Sequence, residues 1–321
     1  TPGVTPAAAL VREGAAELGR DAGDLAGVGA NGVAVTADAL PVFAKADGVP
    51  LYVEELAKSV LEAMQDKVSV PATLRDSLMS RLDRLGRAKD TAQVAAVIGQ
   101  QFSYVLLAAV AGCPADELAA HMESLVDAGL AIRLGGGVEL AYRFKHALLR
   151  DVAYENLLRA RRQALHAAIA HALVSQFPAV AGSEPELLAH HFGHAGNPAM
   201  ASTFSERAGD RAAARSAVPE AVAHYGAALA EAGNADAGDA RSARELALAL
   251  KLGPMLANLR GPQHPEVAVV YARAHDLAAA LGDHAARFKA TWGQWYNVLV
   301  GRRLDLARER ADALIELAAK T

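Results

Sequence analysis

From Arg161 onward the sequence is a succession of helix-length apolar patterns, each about 12–18 residues long, broken by Gly, Pro or Asn. A chain written this way has few choices. Each amphipathic helix has one apolar face, a pair of helices cannot bury both faces alone, and so the pairs must stack on one another. The stretch "AGDRAAARSAVPEAVAHYGAAL" shows how the pairs close: Ala208 and Gly209 sit in one helix, and Ala221, Tyr225 and Ala228 recur in the next. Small residues let the two helices approach, and Tyr225 fills the neighbouring groove. "WGQWYNVLVGRRLDLARERADAL" repeats the pattern with Trp295 and Val298 in one helix and Ala307 and Ala311 in the next.

Composition agrees with helices. The chain of 321 residues is 52% hydrophobic but only 5% aromatic, and the apolar share is dominated by the strong helix formers Ala and Leu. The formal charge of -4 gives no basic excess to hold nucleic acid and no acidic tail to seek a basic partner. A single cysteine, Cys113, excludes an internal disulfide and fits a reducing, cytoplasmic compartment. No apolar run reaches the ~18 residues of a membrane span, and no signal-peptide pattern opens the chain. The missing initial Met and the absence of a polar closing helix at "ELAAKT" lead to the expectation of a piece of a longer protein.

Before Arg161 the chain divides into three. Residues 1–36 are weakly patterned and Gly-rich. Residues 37–68 read as a helix, a break at Gly48-Val49-Pro50, and a second helix with Leu51, Leu56, Val60, Leu61 and Met64 on one face. Pro50 suits its first turn, where a missing N–H costs nothing. Residues 69–160 open with a helix carrying Leu74, Leu78, Leu82 and Leu85 at helical spacing, with Thr73 as its cap and Gly86 as its stop. The helices "AKDTAQVAAVIG", "SYVLLAAVAG" and "PADELAAHMESLVDAGL" follow. Two short strands, "AIRL" and "ELAYRF", then flank the turn "GGGV" within residues 131–145, and the helix of "HALLRDVAYENLL" closes the unit. That order predicts a winged helix with a two-stranded wing. The repeats over residues 161–321 carry a tetratricopeptide signature, so the expected fold class is all-α apart from the wing.

Several candidate sites fail on their chemistry. Gly14 to Asp21 has the glycine spacing of a phosphate-binding loop, but Arg20 stands for the Lys and Asp21 for the magnesium-binding hydroxyl. No ATP hydrolysis is expected from this chain alone. His190, His191 and His194 resemble a metal cluster, with His190 and His194 on one helix face, but no further ligand stands close enough to complete a tetrahedral set. The third helix of the winged unit would read DNA. It carries Asp116, Glu117, Glu123 and Asp127 with no Lys or Arg, and phosphate repels such a face. The basic run Arg159, Arg161 and Arg162 reads as a solvated face. Two positions remain. Gly48 and Pro50 can lay backbone and a ring against an adenine, and His146, at a helix N-terminus, is well placed to meet an anion.

The segments "DGVPLYVEELAKSVLE", "VPATLRDSLMSRLDRLG", "AAVIGQQFSYVLLAAVAG", "FKHALLRDVAYENLL" and "ELLAHHFGHAG" occur here in one order. Together they resemble the large bacterial signalling proteins that join a class III adenylate cyclase domain, an AAA-type STAND ATPase and tetratricopeptide repeats. "KLGPMLANLRGPQHPEVAVVYARAHDLAAALGD" resembles the repeat region of the same family. The likeness runs from about Ala37 to the end. It implies that residues 37–68 are a helical lid, residues 69–160 a winged-helix domain and residues 161–321 a tetratricopeptide-like α-solenoid. It implies ATP/ADP as the cofactor of the intact protein, with the P-loop core and cyclase domain upstream. In that family a Gly-x-Pro turn of the lid packs on adenine, here Gly48 and Pro50, and a winged-helix histidine faces the β-phosphate of ADP, here His146. Ala147 stands where the family motif carries Asp, and Asp151 follows one turn later. The resemblance further implies a protein or peptide partner on the repeats, while the composition and the acidic third helix speak against membrane and nucleic acid. The residues alone leave open a second reading, a helical-repeat scaffold or transcription-regulator fragment with no nucleotide role.

Overall fold

The computed structural model describes residues 74–135, 140–235 and 238–319. Gly14 to Asp21, Gly48, Pro50, Thr73 and both helices expected over residues 37–68 lie outside the described residues. Among these there are fourteen helices and one three-stranded sheet. They fall into two compact units, one ending at Leu157 and one beginning at Leu158.

The first unit runs α1 (Leu74–Arg84), α2 (Ala88–Ile98), β1 (Gln101–Ser103), α3 (Tyr104–Val110), α4 (Ala115–Asp127), β2 (Ala131–Leu134), β3 (Ala141–Phe144) and α5 (Ala147–Glu155). Helix α1 buries Leu78 and Leu82, as their spacing predicts. Gly86, at φ 56°, takes the left-handed conformation that turns the chain into α2. Helix α2 buries Ala92, Ala95, Ala96 and Val97, and these small residues let it pack against both α4 and α5.

Strands β2 and β3 form where the alternation places them, antiparallel, with Ala131 opposite Phe144 and Leu134 opposite Ala141. The expected two-stranded wing is corrected to three strands in the order β1-β3-β2. The added strand has only three residues, too few to display a period. Its one buried side chain, Phe102, stacks on Tyr142 at 6.1 Å and meets Phe144 at 5.6 Å. Aromatic pairs of this kind fasten a short strand to its neighbour. The chain then enters α3 at once, with Ser103 Oγ accepting from the Leu106 N–H.

The second unit is helical throughout among the described residues: α6 (Arg159–Gln176), α7 (Pro178–Ser183), α8 (Pro185–His194), α9 (Pro198–Ala214), α10 (Val218–Ala235), α11 (Gly238–Arg260), α12 (Pro265–Leu281), α13 (His284–Val300) and α14 (Leu304–Ala318). From α8 to α14 each helix packs chiefly on the next in sequence. Such nearest-neighbour packing is what stacked helix pairs require. Tyr225, on α10, fills the groove that the sequence assigns to it. A Cβ built on Gly209 of α9 would stand 2.6 Å from its ring. Tyr271, on α12, is enclosed from two sides: a Cβ on Gly253 of α11 would lie 2.7 Å from the ring, and one on Gly293 of α13 only 2.3 Å. Helices α11 and α12, of 23 and 17 residues, make a pair longer than the 34-residue tetratricopeptide period.

The glycine sockets give a direct test. Gly209→Ala should destabilise the second unit by about 1–3 kcal/mol, the usual cost of overpacking a well-filled site. Gly226→Ala, one residue beyond Tyr225 in α10, meets nothing within 4 Å. It should stabilise by up to about 1 kcal/mol through helix propensity. Urea unfolding of the two variants should move the midpoint in opposite directions.

Candidate functional site

His146 stands where the sequence puts it. It follows β3 after one residue, Lys145, and is the N-cap of α5, with φ -133° and ψ 143°. Its side chain does not cap the helix, while its carbonyl accepts from the Leu149 N–H at 3.1 Å. The ring is half-buried. Arg150, one turn into α5, donates to the Ala96 carbonyl at 3.1 Å and pairs with Asp151 at 2.9 Å. The carboxylate that follows His146 by one turn is therefore already engaged by a guanidinium. Gly48 and Pro50 lie outside the described residues, so only one of the three sequence-selected positions has a described environment.

The face of α4 is acidic as read. Asp116, Glu123 and Asp127 are exposed, and half-buried Glu117 pairs with Arg87 at 3.0 Å. Exposed Arg159 and Arg161 and half-buried Arg162 open α6.

A surface the sequence reading missed lies between α11 and α13. Two cavities of about 390 and 260 Å³ adjoin there and share Pro254, Tyr271 and Trp292 as walls. Trp292 is 48% exposed and Tyr296 40% exposed. Their rings lie parallel, 6° apart in plane and 5.6 Å between centroids. The signal was present: Trp292, Trp295 and Tyr296 follow at i, i+3 and i+4, which puts them on one helix face.

The comparisons with known proteins bear on length and neighbourhood more than on chemistry. No protein-family model matches the chain. It is 29% identical over 276 residues to the uncharacterized protein R02095 of Rhizobium meliloti, covering 82% of this chain and 26% of that protein. The chain thus spans about a quarter of the length of this relative. Short stretches are similar to 4-hydroxy-tetrahydrodipicolinate reductases: 61% identity over 49 residues in Allorhizobium ampelinum and 53% over 49 residues in Agrobacterium fabrum. Each of these covers 15% of this chain and 18% of the reductase. No helix among the described residues is long and apolar enough to cross a membrane.

The histidines of α8 join a fourth from α6. His190 and His194 share a face, as i,i+4 spacing requires, with ring centroids 4.2 Å apart. The His194 Nδ1–H donates to the His190 carbonyl at 3.0 Å. His191 turns inward, fully buried, with its Nδ1 2.9 Å from Nδ1 of buried His166. One of those two nitrogens must donate and the other accept, which requires a neutral partner. No group of three or more His, Cys, Asp or Glu among the described residues is arranged to hold a metal ion. Burial, reinforced by repulsion from His166, His190 and His194, lowers His191 to about 3. The unfolded chain takes up that proton near pH 6.5 and the folded chain does not. His191 therefore favours the fold above pH 6.5 and progressively less as pH falls toward 3. By pH 5 the loss from this group should be about 2 kcal/mol. Urea midpoints of the full chain between pH 7.5 and 5 should fall steeply, and His191→Gln should flatten that slope.

Proposed function

We propose that this chain is the regulatory and protein-interaction portion of a cytoplasmic STAND-type ATPase/adenylate cyclase signalling protein. The first unit serves as its winged helix and the second as a tetratricopeptide-like solenoid. The observation that carries the reading is the placement of His146. It lies just past a strand and opens the closing helix of a small helix–sheet unit, and a stack of helix pairs follows with Tyr225 and Tyr271 in glycine sockets. A relative of which the chain spans 26% supports placing the ATP-binding core elsewhere in a longer protein. The acidic exposed face of α4 argues against a DNA-reading role.

In this reading Gly48 and Pro50 lie on adenine, His146 reaches the β-phosphate of ADP, and lid and winged helix clamp the nucleotide. A protein or peptide bound to the helix stack favours the open state, and ATP replaces ADP. Two sites then bias one two-state element, which is what regulation at a distance requires. Catalysis belongs to the intact protein, because the loop at Gly14–Asp21 lacks the Lys that reaches the phosphates.

The reductase likeness is a separate element in this reading. The long match takes 82% of the chain and the short one 15%, and residues 1–36 fit the signalling-family pattern poorly. At 18% of a reductase's length, the stretch is too short to carry that enzyme's whole active site.

His146→Ala tests the nucleotide half of the proposal in the intact parent protein. One charge-assisted hydrogen bond to a phosphate is worth roughly 1.5–3 kcal/mol, so ADP should bind about ten- to a hundredfold more weakly and basal activity should rise. Unchanged ADP affinity with a lowered melting temperature would mean that His146 only packs. The interaction half is tested by removing residues 180–321 from the parent. Capture of its partner should be lost while ADP binding persists, and a partner retained by the shortened protein would refute the assignment.

A further inference from the structure

The groove between α11 and α13 has a definite chemistry. Its walls are rings: Pro254, Tyr271, Trp292 and Tyr296. Each of its free polar groups carries a donor, and the Tyr hydroxyls and the Asn258 amide can accept as well. Among the described residues, the Trp292 indole N–H, the Tyr271 and Tyr296 hydroxyls, the Asn258 amide and the Lys289 ammonium have no partner. Tyr271 is the most telling, because it is only 5% exposed, lines both cavities and has an unpaired hydroxyl. Lys289 is the sole charged side chain lining either cavity.

We propose that this groove binds an extended, proline-rich peptide that places an acidic residue at Lys289. A polyproline II strand makes no internal hydrogen bonds, so its carbonyls are free to accept from these donors, and each proline removes one N–H that would otherwise need an acceptor. Proline rings pack on the faces of Trp and Tyr, the means by which aromatic-lined grooves select such segments. Two sockets of about 390 and 260 Å³ on either side of one shared wall suit two side chains of a single extended strand. An amphipathic helix spends its carbonyls on itself and would leave the groove's donors unmet. The unpaired Lys289 supplies the complement to a carboxylate. The Trp292 and Tyr296 rings stack on each other in parallel, so little side-chain freedom is lost on binding. This inference rests on the proposed partner-binding role of the helix stack and names the chemistry of the partner segment.

The test uses the full chain and a fluorescein-labelled peptide of two Pro-Pro-Leu-Pro-Glu units, followed by fluorescence anisotropy. Saturable binding is expected. Trp292→Ala and Tyr296→Ala should each weaken it about tenfold or more, the mark of an aromatic anchor. Both side chains are well exposed, so the melting temperature should hold. Lys289→Glu should weaken the peptide about fivefold or more, and by much less when its Glu residues are replaced by Gln. No saturable binding, or tighter binding of a Leu/Glu-rich helical peptide, would overturn the assigned chemistry. Equal binding by folded Trp292→Ala would overturn the groove. None of these results touches capture of the native partner by the parent protein, so the broader role stands or falls separately.

Discussion

A tyrosine ring lying on a bare glycine Cα is the contact on which the helical stack depends. Tyr225 occupies the space a side chain on Gly209 would need, and Tyr271 does the same at Gly253 and Gly293. A glycine inside a helix costs about 1 kcal/mol against alanine, so each socket is a local loss offset only by the ring it receives. Tyr271 does more than close a pair. It touches the helix before it and the helix after it, so it sets how one pair seats on the next. Around Tyr225 the same junction is tied by charge. The Tyr225 hydroxyl donates to Asp210 at 2.8 Å, Lys251 bridges Asp210 and Glu206 at 2.7 Å each, and Arg244 pairs with Glu206 as well. Burial pushes the Glu206 carboxyl up, but hydrogen bonds from Lys251 and Arg244 outweigh it and hold the group below its usual range. Helices α9, α10 and α11 are thus joined by one aromatic socket and one ion network.

How much of this was legible follows from how local each signal is. Gly209 and Tyr225 sit in adjacent helices with a short connection, and the small–small–aromatic pattern showed the socket directly. Tyr271 obeys the same rule but was not read, because its glycines lie in long helices, one interrupted by Pro254, and the pair overruns the expected repeat length. In the first unit the alternation of "AIRL" and "AYRF" exposed two strands, whereas Gln101–Ser103 has a single buried residue and no period to display. His190 and His194 were placed on one face by spacing alone. His166, which brings the buried Nδ1 contact to His191, belongs to a different helix, and only the packing of α6 on α8 reveals it. The position of His146 at the start of α5 was also local and therefore readable. What a ring at that position touches in the intact protein depends on residues distant in sequence, and spacing carries no information about them.

The stack places polar groups in two opposite ways, and the difference divides its surface into kinds. Near its beginning, His166 and His191 are buried against each other and burial keeps His191 neutral, which makes that region sensitive to acid. Further along, Glu206, Asp210, Arg244 and Lys251 pair with one another, and hydrogen bonds from Lys251 and Arg244 hold the Glu206 carboxyl below its usual range. Among the residues that line the two cavities between α11 and α13, neither device is used. Tyr271 still fills its socket, but its hydroxyl is left unanswered, and Trp292 and Tyr296 stand half out of the fold beside it. A buried donor without an acceptor costs about 1–3 kcal/mol if water cannot reach it. Here the open groove lets water reach it, and so lets a ligand replace that water. The residue that locks one helix pair to the next is therefore also the floor of the proposed peptide groove. The packing that gives the stack its order places a rigid, donor-rich aromatic wall where its helices meet.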